Sequence, residues 1–157
     1  MNSPIQQPGF NLEKTRKPLR LAFTDGDGFP RIVSLWFQYV DGDYFCATHE
    51  SAWVIEQLRA RPKVGYEVAS NTAPYHGVRG TATVDIYPMA DDPLLESLLK
   101  RYLGSTTSDF ARRLLGRSES ELIIRIKPLK QTSWDYRTRM TGAVDSSVQA
   151  TEGQEVQ

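Results

Sequence analysis

The sequence is poor in the residues that most catalytic motifs require. Its 157 residues hold one cysteine, Cys46, and two histidines, His49 and His76. A lone cysteine excludes an internal disulfide, and its place inside a strand pattern marks it as a small buried apolar side chain. So few thiol and imidazole groups leave no ligand set for a dedicated zinc site. Excess charge of either sign is absent, because 19 Lys and Arg balance 19 Asp and Glu. No global field therefore draws the chain to nucleic acid or to an anionic membrane. No apolar run approaches the ~20 residues of a membrane helix. The start, MNSPIQQPGFNLEK, has neither the basic end nor the apolar stretch of a secretory signal. The expectation is a soluble, cytoplasmic protein.

Named motifs are missing too. There is no Gly-x-Ser-x-Gly elbow, no phosphate-cradling P-loop and no Rossmann glycine fingerprint. Asp25-Gly26-Asp27-Gly28 begins like a calcium loop, but its twelfth position is Trp36 where a bidentate acid is required. It reads as a hairpin turn. No catalytic triad can be assembled from this inventory, so any chemistry is expected to come with a cofactor.

What is present is a dense run of strand signals. A chain of this length forms one domain that buries roughly 68–70% of its unfolded surface. Leu19, Leu21 and Phe23 alternate, as do Val33, Leu35 and Phe37, then Ala82, Val84 and Ile86, then Leu122, Ile124 and Ile126. A final short strand is expected over 131–135. Two Asp-Gly-Asp turns, at 25–27 and 41–43, join hairpins. Ser51 is the expected N-cap of a helix carrying Val54, Ile55 and Leu58, stopped by Pro62. Asp92-Pro93 opens a second helix, ended by Gly104, and a third spans 109–115. Residues 1–14 are expected to form an arm, 15–141 the domain, and 142–157 a disordered tail with too few large apolar groups to order. The fold class is mainly β, a barrel with helical decoration.

Four places suit a ligand. Arg31 to Trp36 is a strand with Ser34 and Trp36 on one face, suited to a flat ligand or to core packing. Ala47 to Trp53 is a strand-to-helix junction whose free N–H groups suit an anion, or simply a capped helix. In Tyr75 to Gly80, two glycines imply a bulge or a close approach by backbone or ligand. Arg79 there would face a phosphate or solvate an edge. Trp134 to Met140 is an aromatic and basic cluster suited to ring stacking, anion pairing or a dimer contact.

In order and spacing, LAFTDGDGFPRIVSLWF, DGDYFCAT, the helix ending LRARPKVGYEV, HGVRGTATV and TSWDYRTRM resemble the pyridoxamine 5′-phosphate oxidase-like, flavin-binding split-barrel family over about residues 17–140. The resemblance implies a six-stranded split barrel. It further implies a homodimer binding FMN or a deazaflavin at the subunit boundary and oxidising or reducing a small molecule. By position, Arg31, Val33, Ser34 and Trp36 would lie along the flavin ring. Thr48, Ser51 and Trp53 would sit near the ribityl-phosphate end, and Arg79 on the strand approaching the ring. Trp134 and Arg139 would complete the pocket. Relatives that grip a phosphate show Ser-Arg-Lys or Ser-x-Lys at the helix start. Here Ser51-Ala52-Trp53 lacks both cations. That departure leaves open FMN, a deazaflavin, or a non-catalytic module that binds a flavin or another planar ligand on the same scaffold.

Overall fold

A computed structural model describes residues 11–142. The expected 142–157 tail, Gly142 apart, and residues 1–10 of the expected arm lie outside the described residues. Asn11 to Lys14 form a turn, and the Leu12 and Thr15 carbonyls accept hydrogen bonds from Arg101.

Seven strand segments and three helices follow in the order β1 (Leu19–Thr24), β2 (Pro30–Leu35), β3 (Phe37–Val40), β4 (Asp43–His49), α1 (Trp53–Ala60), β5 (Lys63–Ala69), β6 (His76–Pro88), α2 (Leu94–Leu103), α3 (Asp109–Gly116) and β7 (Glu121–Asp135). They make one antiparallel sheet in the order β2-β1-β5-β6-β7-β4-β3. Its two end strands, β2 and β3, are consecutive in sequence and separated only by Trp36. The chain thus leaves β1, bends at Trp36 and pairs with β4, which curls the sheet into a barrel. Counting 30–40 as one bent strand gives the six strands expected.

The turns differ from one another. Asp41 and Gly42 have φ of 51° and 88°, the two positive values a two-residue type I′ hairpin needs. The first hairpin instead carries a longer loop, in which the Asp25 carboxylate accepts from the N–H groups of Asp27 and Phe29 at 3.0 Å. β7 runs unbroken where two strands were expected, passing Pro128 at a bulge. Thr81 pairs with Lys130 and Ala82 with Pro128, so Leu129 is the extra residue.

Alternation places one side chain in two inside the barrel. Leu19, Leu21, Phe37, Tyr44, Val68, Val78, Ala82, Ile124 and Ile126 fill it, with Val54, Ile55 and Leu58 of α1. Cys46 is fully buried among them, and burial pushes its thiol far up from the ordinary range. A second core lies outside the barrel, where Leu94, Leu95, Leu98 and Leu99 of α2 cover Ile123. Asp92 Oδ1 accepts from the Leu94 N–H at 2.9 Å at the start of α2, and Gly104 ends it at φ 74°. The N-cap of α1 is Ala52 rather than Ser51, with no side-chain cap. The Ser51 hydroxyl is taken up 2.7 Å from His49 Nδ1.

Candidate functional site

The outer face of the sheet is laid out by cross-strand register. One row runs Ser34, Arg20, Glu67, Arg79, Thr132 across β2, β1, β5, β6 and β7. The row beside it runs Ile32, Ala22, Gly65, Thr81, Lys130. The second row is small in its middle, so it forms a floor, while charged side chains stand along the first. The result is a groove of about 680 Å³ lined by residues of both rows. That lies within the ~300–1,000 Å³ typical of small-molecule sites. Ile32 is 73% exposed and Leu129, beside Lys130, is 68% exposed, so apolar surface also borders the groove.

Two buried side-chain donors among the described residues lack a hydrogen-bond partner, Arg20 Nη1 and Trp134 Nε1. Arg20 lines the groove, and Trp134 follows Lys130 and Thr132 on the same face of β7. The Arg79 guanidinium lies 5.6 Å from the Trp134 ring centroid. A buried donor without an acceptor costs about 1–3 kcal/mol, and more when charged. Both orphans are donors, and both belong to this face.

The glycines of β6 meet backbone. A Cβ on Gly77 would press on Ala69 at 2.7 Å, and one on Gly80 would collide with the Lys130 carbonyl oxygen and stand 2.8 Å from the Tyr66 hydroxyl. Tyr66 faces the barrel interior, where its hydroxyl and that of Tyr44 share Gln131 Oε1 at 2.8 and 2.7 Å. Burial pushes both phenols up beyond their ordinary range.

The residues singled out from sequence fall into separate groups. Ser34, Arg79 and Trp134 share the outer face described above. Arg31 and Trp53 meet elsewhere, with the guanidinium 4.7 Å from the Trp53 ring centroid and 3.2 Å from the Asp25 carboxylate. Burial works against the Asp25 charge, but the Phe29 and Asp27 N–H groups and the Arg31 guanidinium outweigh it and hold the carboxyl below its usual range. A cleft of about 410 Å³ adjoins this pair, and another of about 530 Å³ runs past Ser51 and Trp53. Trp36 stacks on Tyr102 at 5.1 Å and 6° in the second core. Val33 packs against the barrel core, Thr48 is half-buried on β4, and Arg139 lies over the Tyr136 ring at 5.4 Å. No cluster of three or more His, Cys, Asp or Glu able to hold a metal ion occurs among the described residues. No helix among them is long and apolar enough to cross a membrane.

Arg20, Ile32, Glu67, Lys130 and Thr132 were not singled out from sequence. In LRLAFT, KVGYEV and LKQTSW, Arg20, Glu67, Lys130 and Thr132 read as the solvated half of an alternating strand, and Ile32 reads as one apolar residue among several in RIVSLW. Only the register across four strands gathers them.

No family model matches the chain, and no curated protein matches it. Solved structures do. An F420 reductase superposes with a TM-score of 0.67 at 22% identity, covering 80% of this chain and 98% of that one. A FAD-binding protein from Mesorhizobium loti gives 0.57 at 19%, covering 78% and 88%. A heme storage protein from Vibrio cholerae gives 0.60 at 17%, covering 79% and 89%. At such identities the likeness is one of architecture. This chain has the split-barrel fold of flavin-binding proteins, the fold that its resemblance to pyridoxamine 5′-phosphate oxidase-like proteins implied.

Proposed function

We propose that the protein is a flavin- or deazaflavin-dependent oxidoreductase acting on a small molecule, with its cofactor in the outer-face groove. The observation that carries this reading is the pair of orphaned donors on one sheet face, Arg20 Nη1 lining a ligand-sized groove and Trp134 Nε1 further along the same face of β7. A flavin is a planar ring rich in carbonyl acceptors, joined to an anionic tail, and so supplies what both donors lack. Ala22, Gly65 and Thr81 give the ring a flat floor. Ile32 shields one edge from water, and Ser34 and Thr132 offer hydroxyls at the two ends of the charged row. When bound, such a cofactor supplies hydride transfer. Two copies would pair over this face and cover Ile32 and Leu129, making two equivalent sites.

A second reading is favoured by the groove's inventory. Among the described residues, Glu67 is its one carboxyl, and no His or Cys lines it. A module that holds a planar ligand without turning it over needs no acid or base.

The test is a titration of the purified protein with FMN and with a deazaflavin, followed by absorbance, alongside sedimentation to measure mass. Saturable binding at one site per chain and a dimeric mass are expected. Reduced, bound cofactor that is re-oxidised by a quinone faster than free cofactor supports the enzyme. Equal rates favour the binding module, and no binding to either cofactor refutes the proposal.

A further inference from the structure

We infer that this groove anchors the phosphate of its ligand on Arg20, Arg79 and Lys130, and that the start of α1 is not the anchor. The inference rests on the flavin reading above and assigns residues to it. Three cavities border the residues considered so far, and their formal charges differ in sign. The cleft by Arg31 is lined by Asp25, Asp27 and Glu56 against Arg31 and Arg61, a sum of −1. The cleft at the start of α1 sets Glu50 and Glu56 against Arg59, again −1. The outer groove sets Arg20, Arg79 and Lys130 against Glu67, a sum of +2.

Availability points the same way. Arg31 is already held by the buried Asp25 carboxylate and lies over Trp53, and the Ser51 hydroxyl is held by His49. In the groove, by contrast, register sets Glu67 opposite both Arg20 and Arg79, yet no ion pair joins it to either among the described residues. Arg20 Nη1 has no acceptor at all. Arg79 has its ring contact with Trp134, and Lys130 has no ion pair among the described residues. A phosphate carries close to two negative charges and several acceptor oxygens. Planar guanidinium forks grip such a group with directed, charge-assisted bonds. An anion seated between Arg20 and Arg79 would give the buried N–H its missing acceptor.

The test compares FMN, riboflavin (the same ring without phosphate) and inorganic pyrophosphate. Each is titrated into the native protein and into Arg20→Gln, Arg79→Gln, Lys130→Gln and Arg59→Gln variants, with far-UV circular dichroism to verify folding. The native protein should prefer FMN to riboflavin, and pyrophosphate should compete with FMN. Arg20→Gln and Arg79→Gln should each cut that preference by about tenfold or more, the worth of one charge-assisted contact. Arg59→Gln, which removes the cation lining the cleft beside α1, should leave it unchanged. If either groove variant unfolds, Lys130→Gln decides. A preference unaltered by the groove variants, or lowered by Arg59→Gln, overturns the anchor while the flavin reading stands. Pyrophosphate binding that depends on Arg20 and Arg79, without binding of either flavin, upholds the anchor and removes the flavin reading. No binding of any probe overturns both.

Discussion

Two glycines that touch the same groove should respond in opposite ways to one added methyl. Gly65 lies on its floor, and a Cβ there would meet Ala22 Cβ at 3.6 Å and the Gly80 carbonyl oxygen at 3.7 Å, which is ordinary contact. Its φ is not in the positive region, so alanine adopts the backbone without strain. Gly65→Ala should therefore stabilise by about 0.4–1 kcal/mol, chiefly through the lower freedom of the unfolded chain. At about 2–4 °C per kcal/mol for a chain of this size, Tm should rise by about 1–4 °C. The same methyl on Gly80 meets the Lys130 carbonyl oxygen of β7 at a bulge. Backbone cannot swing aside as a long side chain can. Overpacking costs about 1–3 kcal/mol, and a clash with backbone belongs at the upper end, so Tm should fall by roughly 6–12 °C. Thermal melts followed by far-UV circular dichroism measure both. An FMN titration of Gly65→Ala adds a third readout, because a raised floor should weaken binding without loss of fold. A Gly65→Ala protein that melts several degrees early would show that something packs on the floor. An undisturbed Gly80→Ala would refute the close approach of β6 and β7.

Three further outcomes follow from buried groups. Gln131→Leu strands the Tyr44 and Tyr66 hydroxyls together, at about 1–3 kcal/mol each; urea denaturation should show a larger loss than either Tyr→Phe change, and the combined Tyr44→Phe, Tyr66→Phe, Gln131→Leu protein should recover most of it. Burial raises the Glu121 carboxyl above its ordinary range, with Arg117 and His49 only partly offsetting this. Its contribution to stability is therefore full below the unfolded value of ~4.3 and is lost as pH rises through the folded value, so Glu121→Gln should be more stable than the native protein at pH 7.5 and no more stable at pH 4; a less stable variant at pH 7.5 refutes this. Trp36→Ala should cost about 3 kcal/mol through lost packing on Tyr102 while leaving FMN affinity per folded molecule unchanged; a selective loss of affinity would place Trp36 at the ligand.

The fold was legible because its signals are local. Alternation in LRLAFT and in LIIRI assigns faces, and Asp41-Gly42 favours the positive-φ turn it makes. The misreadings come where a second element decides. Pro128 looks like a strand breaker, yet it sits where the ladder is already interrupted by Leu129, so β7 continues through it. Ser51 looks like a cap, yet a histidine two residues earlier competes for its hydroxyl at 2.7 Å. Ser34 and Trp36 do both point out of the barrel, with Leu35 and Phe37 inside, but they do not border the same space. The chain changes partners between β1 and β4 at Trp36, which turns the indole towards α2. The groove was illegible for a stronger reason, since Arg20, Glu67, Arg79 and Thr132 are far apart in sequence and only register brings them into one row.

The outer face of the sheet differs from the rest of the described residues in how fully its polar groups are satisfied, and that difference locates function. Away from that face, awkward groups have partners: two buried tyrosine hydroxyls converge on one Gln131 oxygen, and the buried Asp25 carboxylate of the first hairpin loop collects two N–H groups and a guanidinium. Selection for stability alone would treat the outer face the same way, because a rotamer change or a substitution to leucine would relieve an orphaned donor there. Instead both orphans found among the described residues, Arg20 Nη1 and Trp134 Nε1, lie on a single face. A face that withholds acceptors from its own buried donors, while keeping a net positive charge and a floor of small residues, is complementary to an anionic ligand rich in acceptors. Filling it should therefore stabilise the fold, by RT ln(1 + [L]/Kd), or about 2.7 kcal/mol at a hundredfold excess over Kd. FMN at that excess should raise Tm by roughly 5–11 °C. A Tm indifferent to saturating FMN would mean that the face is completed by something else.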